Sequence, residues 1–170
     1  IYVRGKKAEI HKPIHAISLG IGMIPEDRKR QGVHLDQSIK SNMTLLRQKD
    51  ISTFFTISGR KEKNLANEYI QSLSIKLGSI DDMVSSLSGG NQQKIVLTKW
   101  LAAQPDIIFF DEPTRGIDVG AKAEIYTLMD ALRNQGKAII LISSEMEEVL
   151  GMSDRIIVMY EGAITGQVSG

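Results

Sequence analysis

Residues 107–113 read Ile-Ile-Phe-Phe-Asp-Glu-Pro, so four apolar side chains run directly into two carboxylates. A short segment that is apolar at every position is typical of a strand covered on both faces in a parallel sheet. Open α/β sheets bind their ligands beyond the carboxyl ends of such strands. The stretch therefore predicts a buried strand over 107–110 that delivers Asp111 and Glu112 to a binding edge.

The segments on both sides of this strand alternate between helix and strand. Before it, the sequence predicts a helix from about Asn91 to Ala103, which Pro105 separates from the strand. After it, a second helix carries apolar residues at steps of three or four and ends at Gly136. A second apolar run, Ala138–Ile142, follows and predicts a second buried strand. This alternation predicts an α/β fold with a mostly parallel sheet.

Both ends of the chain carry shorter elements. Near the amino end, Pro13 is placed to open a helix that runs through Leu19, and residues 22–24 are strand-like. Near the carboxyl end, two strand-like runs, 155–160 and 163–168, flank Glu161-Gly162. This arrangement predicts an antiparallel C-terminal hairpin at the edge of the sheet.

Residues 33–86 have a more helical pattern. Two apolar stripes at helical spacing lie there, the second closed by Gly78, while Ser52–Gly59 between them is ambiguous. The stripes consist of Ile39, Met43 and Leu46, and of Leu65, Tyr69, Leu73 and Leu77.

Composition narrows the functional classes. Among 170 residues, 21 Lys and Arg balance 20 Asp and Glu, which argues against a strongly basic nucleic-acid-binding domain. Cysteine is absent, which excludes disulfides, thiolate metal sites and a cysteine nucleophile. The longest apolar runs are strand-length, far below the ~20 residues that span a bilayer. The basic run Arg28-Lys29-Arg30 is interpreted as a solvated loop, because exposed charge is the usual case.

Two glycines follow a serine at Ser88-Gly89-Gly90, directly before the first predicted helix. Glycines let the backbone approach an anion closely, and a helix start presents free N–H groups and the positive end of its dipole. The triplet is therefore interpreted as a phosphate site. The alternative is an ordinary Ser/Gly helix start, since both residues are common N-caps.

The carboxylates Asp111 and Glu112 suggest metal-assisted chemistry at the end of the strand. Mg²⁺ is usually held by one or two protein oxygens together with substrate phosphates, a role that fits Asp111. Glu112 is then placed to orient or deprotonate a water molecule. The alternative is a strand that ends in a solvated acidic turn.

Several strings together resemble the ATP-binding-cassette (ABC) ATPases, and more narrowly the second cassette of bacterial sugar importers of the ribose, galactose and xylose type. Residues 87–94 are similar to the signature motif, 107–113 to the Walker B motif with the catalytic glutamate, and Gly116-Ile117-Asp118 to the D-loop. The residues that match the signature and are expected to contact ATP are Leu87, Ser88, Gly89, Gly90, Asn91, Gln92 and Gln93. The narrower likeness rests on PEDRKR at 25–30, NQQK at 91–94, DEPTRGIDVGAK at 111–122 and ISSE at 142–145.

This resemblance implies a P-loop NTPase-like fold and an ATPase that uses ATP and Mg²⁺. It places the signature against ATP held mainly by a partner cassette, with Asp111 and Glu112 serving the nucleotide of their own cassette. The implied partners are an N-terminal cassette of the same chain, membrane permease subunits and, indirectly, a periplasmic sugar-binding protein, with no nucleic acid. The implied location is peripheral, at the cytoplasmic face of the bacterial inner membrane.

The same resemblance predicts one partial ABC ATPase domain over 1–170, with a helical subdomain at about 33–86 and the motif-bearing region at 87–170. No G-x-x-x-x-G-K-[ST] phosphate loop occurs, and it is expected upstream of Ile1. The isolated segment is therefore expected to be inactive, and to self-associate through an exposed sheet edge.

Two positions depart from the family pattern. Ser144 stands where most cassettes carry the switch histidine, but Ser144 and Glu147 also have the spacing of a helix capping box. Glu26 stands where many cassettes carry a metal-reaching glutamine, and is expected to ligate Mg²⁺. These departures keep open a second interpretation, a regulatory cassette that completes its partner's ATP site without hydrolysing ATP. A cassette of DNA repair or translation is disfavoured by the near-neutral charge.

Overall fold

The computed structural model describes residues 1–53 and 56–169. Besides α-helices, these residues contain a π-helical turn at Arg28–Gly32 and 3₁₀ turns at Leu45–Arg47 and Val84–Ser86. No helix in these two ranges is long and apolar enough to cross a membrane. In chain order the strands and α-helices are β1 (Tyr2–Val3), β2 (Lys6–Lys7), α1 (Pro13–Ser18), β3 (Ile21–Ile24), α2 (Ile39–Thr44), α3 (Gln48–Ile51), β4 (Ser52–Thr53), β5 (Thr56–Ile57), α4 (Gly59–Ser72), α5 (Gly89–Ala102), β6 (Ile107–Asp111), α6 (Val119–Asn134), β7 (Ala138–Ile142), α7 (Met146–Met152), β8 (Arg155–Tyr160) and β9 (Ala163–Ser169).

The central sheet has three parallel strands in the order β3-β6-β7. Ile108 and Phe110 of β6 have no exposed surface and belong to one apolar core with residues of α5 and α6. The predicted α/β fold with a parallel sheet is confirmed. Helices α5 and α6 precede and follow β6, as the alternation of the sequence predicts.

The other face of this sheet is open. Met23, Phe109 and Ile140 are neighbours across the three strands, and Met23 and Ile140 are 44% and 42% exposed. The prediction that Ala138–Ile142 is a buried strand is therefore wrong, because every second residue of β7 faces this open side. Only the face toward the helices is covered.

The region between β3 and β6 is mostly helical, with Ile39 and Met43 of α2 buried against α4 and α5. The second predicted helix exists as α4 but ends at Ser72, so the prediction that it extends to Gly78 is wrong. Ser74 adopts a left-handed conformation (φ 49°), and the N–H groups of Ser74 and Ile75 donate to the carbonyls of Gln71 and Ile70. This is a Schellman motif with serine at the position glycine usually takes.

The ambiguous segment Ser52–Gly59 contains the short antiparallel strands β4 and β5, and residues 54–55 between them lie outside the described residues. The C-terminal hairpin is confirmed as β8 and β9. Glu161 and Gly162 both have positive φ, 47° and 79°, as a tight hairpin turn of the mirror-image type requires. Among the described residues, β8 and β9 pair with each other and with no strand of the parallel sheet.

The open sheet face predicts self-association of residues 1–170 when they are produced alone. Contiguous exposed apolar surface favours association, and within residues 1–53 and 56–169 no strand pairs with the outer edge of β3 or of β7. Light scattering is expected to show a mass above that of the monomer, and Ile140→Thr, which keeps strand propensity, is expected to lower it. A monodisperse monomer of the unmodified chain at high concentration would contradict this prediction.

Candidate functional site

The carboxyl end of β6 carries the two predicted acidic residues, and Glu112 is held there by the neighbouring strand. Its N–H donates to the carbonyl of Ile142 over 2.9 Å, and its Oε1 accepts from the N–H of Ser144 over 2.8 Å. Glu112 has φ 45°, an uncommon conformation for a residue other than glycine. Backbone hydrogen bonds therefore fix one carboxylate oxygen of Glu112 and leave Oε2 without a partner among the described residues.

Asp111 is half-buried, and its carboxylate accepts no hydrogen bond within residues 1–53 and 56–169. It pairs in register with Ile142, so it lies on the open face of the sheet. A carboxylate without a partner beside a fixed glutamate fits a hard cation such as Mg²⁺, which takes oxygen ligands. In the same part of the chain, no three His, Asp or Glu side chains come together as a ready-made metal site.

Glu26, the other predicted metal ligand, is engaged elsewhere. Its carboxylate forms an ion pair with Arg115, and both side chains are largely exposed. The metal-binding role of Glu26 and Asp111 stays a prediction, and Glu26 has to leave Arg115 before both its oxygens are available.

Helix α5 begins at Gly89, so the expectation that Gly89 and Gly90 form a turn before a helix at Asn91 is wrong. Ser88 is the N-cap, and its Oγ accepts from the N–H and the side-chain amide of Asn91. Because Ser88 caps the helix, both glycines belong to its first turn, where N–H groups have no partner within the helix. Ser88 is exposed, so this helix start is open to a ligand.

The remaining signature residues hold the start of α5 in position through contacts within the chain. Gln92 is buried and donates from Nε2 to the carbonyls of Val84 and Leu87, and Gln93 is buried as well. Asn91 accepts from the N–H of Lys76, and Leu87 packs against the core. Their contact with ATP stays a prediction, while their contacts within the chain hold Ser88 and the glycines in place.

The segment Gly116-Ile117-Asp118 forms the turn before α6. Gly116 has φ +68°, and Asp118 is the N-cap of α6, with its Oδ1 accepting from the N–H of Ala121 over 2.9 Å. A Cβ added at Gly90 would lie 3.1 Å from the Cβ of Ala121. The starts of α5 and α6 are therefore in direct contact, and this places the predicted D-loop beside the predicted signature.

The switch position lies in the loop after β7. Helix α7 begins at Met146, and its N-cap Glu145 makes no side-chain cap, so the capping box of Ser144 and Glu147 is wrong. The N–H of Ser144, which a capping box would give to the Glu147 side chain, donates to Glu112 instead, and the helix begins one residue later than that box requires. Ser144 thus meets the catalytic candidate through its main chain, while its side chain stays exposed.

Sequence reasoning missed the ion pair that anchors this loop. Lys122 Nζ lies 2.6 and 2.7 Å from the two carboxylate oxygens of Glu145, and this hydrogen bond raises the pKa of Lys122. Lys122 belongs to α6, and Glu145 lies 23 positions later in the loop after β7. No local sequence pattern therefore predicts their contact. The pair ties the start of α6 to the residue that follows Ser144.

Comparisons with known proteins show which family and which proteins the chain is similar to. A family model described as "ABC transporter" matches residues 2–115. The chain is 51% identical, over 99% of its length, to the ribose import ATP-binding protein RbsA of Caldanaerobacter subterraneus subsp. tengcongensis. It is 47% identical, also over 99%, to a putative ribose/galactose/methyl galactoside import ATP-binding protein of Halalkalibacterium halodurans.

Solved structures extend the comparison to the fold. The chain matches a dimeric structure of the ATP-binding cassette MJ0796 in a post-hydrolysis state bound to ADP and Pi, with a TM-score of 0.77 and 20% identity. That match covers 99% of this chain and 72% of the other. The chain spans about a third of the length of the curated relatives it matches, 34% of the first and 32% of the second.

The N-cap of α6 gives a test of how the predicted D-loop is held. We expect Asp118→Ala to lower the free energy of unfolding by about 1 kcal/mol, because it removes the acceptor for the N–H of Ala121. Asp118→Asn keeps a capping oxygen and is expected to lose only a few tenths of that. Chemical denaturation measures both, and equal losses would show that charge rather than capping holds the turn.

Proposed function

The chain belongs to the ABC transporter family, and we propose that it is part of the ATP-hydrolysing subunit of a bacterial importer that takes up a monosaccharide. The names of the relatives support the sugar, since they are described as ribose or ribose/galactose/methyl galactoside import proteins. The observation that carries the hydrolytic part is the position of Glu112. Its carboxylate is fixed by the N–H of Ser144 at the end of the buried strand, next to the unpartnered carboxylate of Asp111.

The start of α5 is proposed to bind the γ-phosphate of ATP that a partner cassette holds. Ser88 supplies an exposed hydroxyl, and Gly89 and Gly90 leave the first-turn N–H groups accessible. The positive end of the helix dipole adds about 0.3–1 kcal/mol for an anion at such a site. Leu87 and Asn91 to Gln93 act by keeping this helix start in position.

The end of β6 is proposed to serve the nucleotide bound to this cassette. Mg²⁺, when bound, neutralises phosphate charge and orients the phosphates, and Asp111 is the residue proposed to hold it, with Glu26 as a further ligand. Glu112 takes the proton of the attacking water on Oε2, because Oε1 is occupied by the N–H of Ser144. That N–H also keeps the carboxylate from turning away from the water.

The proposed assembly contains a second cassette within the same chain, permease subunits in the membrane and a periplasmic sugar-binding protein that delivers the sugar. The chain would then lie peripherally on the cytoplasmic face of the membrane. Closure of two cassettes on ATP drives the permease, with residues 33–86 near it. Residues 1–170 alone are expected to turn over little ATP.

Two observations favour a second candidate function, a regulatory cassette that completes its partner's site without hydrolysis. Ser144 carries no imidazole to donate to the γ-phosphate and offers its main chain to Glu112 instead. Glu26 is paired with Arg115. In this alternative Ser88, Gly89 and Gly90 still bind the partner's ATP, but Glu112 abstracts no proton.

Glu112→Gln in the complete chain, assembled with its membrane subunits, separates the two functions. If Glu112 is the base, steady-state ATP turnover is expected to fall by ~10²–10⁴, the usual contribution of a general base. The isosteric amide keeps the contact with Ser144, so the fold is preserved. Asp130→Asn, which removes an exposed carboxylate on α6, is the matched control and is expected to leave turnover unchanged. Unchanged turnover in Glu112→Gln as well would favour the regulatory cassette.

A further inference from the structure

The segment 28–32 forms a single wide turn whose position is set by α5. Asp27 caps the turn, with Oδ1 accepting from the N–H groups of Lys29 and Arg30 over 3.1 Å each. Gly32 ends the turn against α5, where an added Cβ would lie only 2.7 Å from Val96 Cγ2. The turn therefore packs closely against α5, and the contact at Gly32 leaves no space for the turn to shift along the helix.

A buried lysine of the same helix holds the end of this turn. Lys99, in the last turn of α5, donates from Nζ to the carbonyl of Gly32. Lys99 is 7% exposed, so this contact is shielded from water. Such a bond is costly to break, because it would leave a buried cation without its acceptor.

The position of this turn directs the Arg28 side chain toward the predicted signature and the predicted D-loop. Its Nη1 donates to the carbonyl of Arg115 over 3.1 Å, and its Nη2 donates to that of Gly116 over 3.4 Å. A Cβ added at Gly89 would lie 2.9 Å from Arg28 Nη2. The guanidinium thus lies between the first turn of α5 and the turn before α6.

This placement corrects the interpretation of the basic run as a solvated loop. Lys29 and Arg30 are exposed, as that interpretation requires. Arg28 is half-buried, and its Nε is fully buried with no acceptor among the described residues. The three neighbouring cations therefore differ in environment, which singles out Arg28 as the one with a function.

We propose that Arg28 is a positioning residue that sets the spacing between the signature turn, Ser88 to Gly90, and the D-loop turn, Gly116 to Asp118. The inference rests on the proposed function, in which both turns act on ATP between two cassettes. Arg28 joins the two turns into one rigid unit, so that closure of the two cassettes brings both turns to the nucleotide together. The planar fork of arginine suits two carbonyls at once, and the single ammonium of lysine does not.

The expected consequence is specific. The signature turn meets ATP only when the cassettes close, whereas the phosphate loop of the partner holds the nucleotide before closure. Misplacing the signature turn should therefore lower kcat and leave KM for ATP nearly unchanged. Errors of about 1 Å in such positioning cost up to ~10²-fold in rate.

The test uses the complete chain assembled with its membrane subunits. Arg28→Met is expected to lower kcat for ATP about tenfold or more with less than about a twofold change in KM. Arg28→Lys keeps the charge and is expected to restore only a small part of the loss. Lys29→Met is the matched control, since it removes an exposed cation from the same turn, and is expected to leave both constants unchanged.

A second measurement does not depend on hydrolysis. In hydrogen exchange without nucleotide, Arg28→Met is expected to make the hydrogen-bonded amides of the two turns exchange about tenfold faster. These are the amides of Asn91, Gln92, Arg115 and Ile117. The amides of 59–72 in α4 are expected to keep their wild-type rates, which shows that the variant is folded. This local change would support the positioning role even if Glu112→Gln showed that the cassette does not hydrolyse ATP.

Three results would overturn the inference. The first is exchange at the amides of Asn91, Gln92, Arg115 and Ile117 that matches the wild type in Arg28→Met. The second is a uniform increase in exchange that includes α4, which would make Arg28 a residue of general stability. The third is full recovery of kcat by Arg28→Lys, which would assign the effect to charge alone.

Discussion

The structure depends on the pairing of β6 with strands on both sides. Ile108 and Phe110 are completely buried, and the strand is hydrogen-bonded to β3 and β7 along its length. Pairing on both sides fixes the position of the carboxyl end of β6. The backbone positions of Asp111 and Glu112 are therefore fixed as well. The bond from the N–H of Glu112 to the carbonyl of Ile142 extends that constraint one residue beyond the strand.

The other parts of the site are positioned relative to this point by short contacts. The loop after β7 reaches Glu112 through the N–H of Ser144, and Lys122 anchors that loop by pairing with Glu145. The starts of α5 and α6 touch at Gly90 and Ala121, and Arg28 lies between their turns. The signature turn and the D-loop turn are thus separated by one side chain, and α6 is connected to the catalytic candidate through the Lys122–Glu145 ion pair and the N–H of Ser144.

The sequence predicts the parts of this arrangement that are local. The apolar run before Asp111 marks β6, and the pair Glu161-Gly162 marks the hairpin. Helix α5 is predicted as well, although its start at Gly89 lies before the predicted Asn91. Predictions that needed long-range information failed. The burial of β7 depends on what covers each face of the sheet. The capping box at Ser144 fails because Glu112, 32 residues earlier, takes the N–H that Glu147 would have to bind. The end of α4 failed for a local reason, because serine rather than glycine takes the left-handed position. Arg28 looks like its exposed neighbours in sequence, and only its carbonyl partners, 87 and 88 residues away, distinguish it.

The hydrolytic and the regulatory proposals both require that the start of α5 contact the γ-phosphate of ATP. This contact is tested by trapping vanadate with ADP in the complete assembly and irradiating it, because vanadate in the γ-phosphate position cleaves the main chain next to it. Cleavage at Ser88 is the predicted result, together with cleavage at the phosphate loop that holds the nucleotide. Cleavage at the phosphate loop with an intact segment 87–93 would contradict it, since the signature turn would then be remote from the nucleotide.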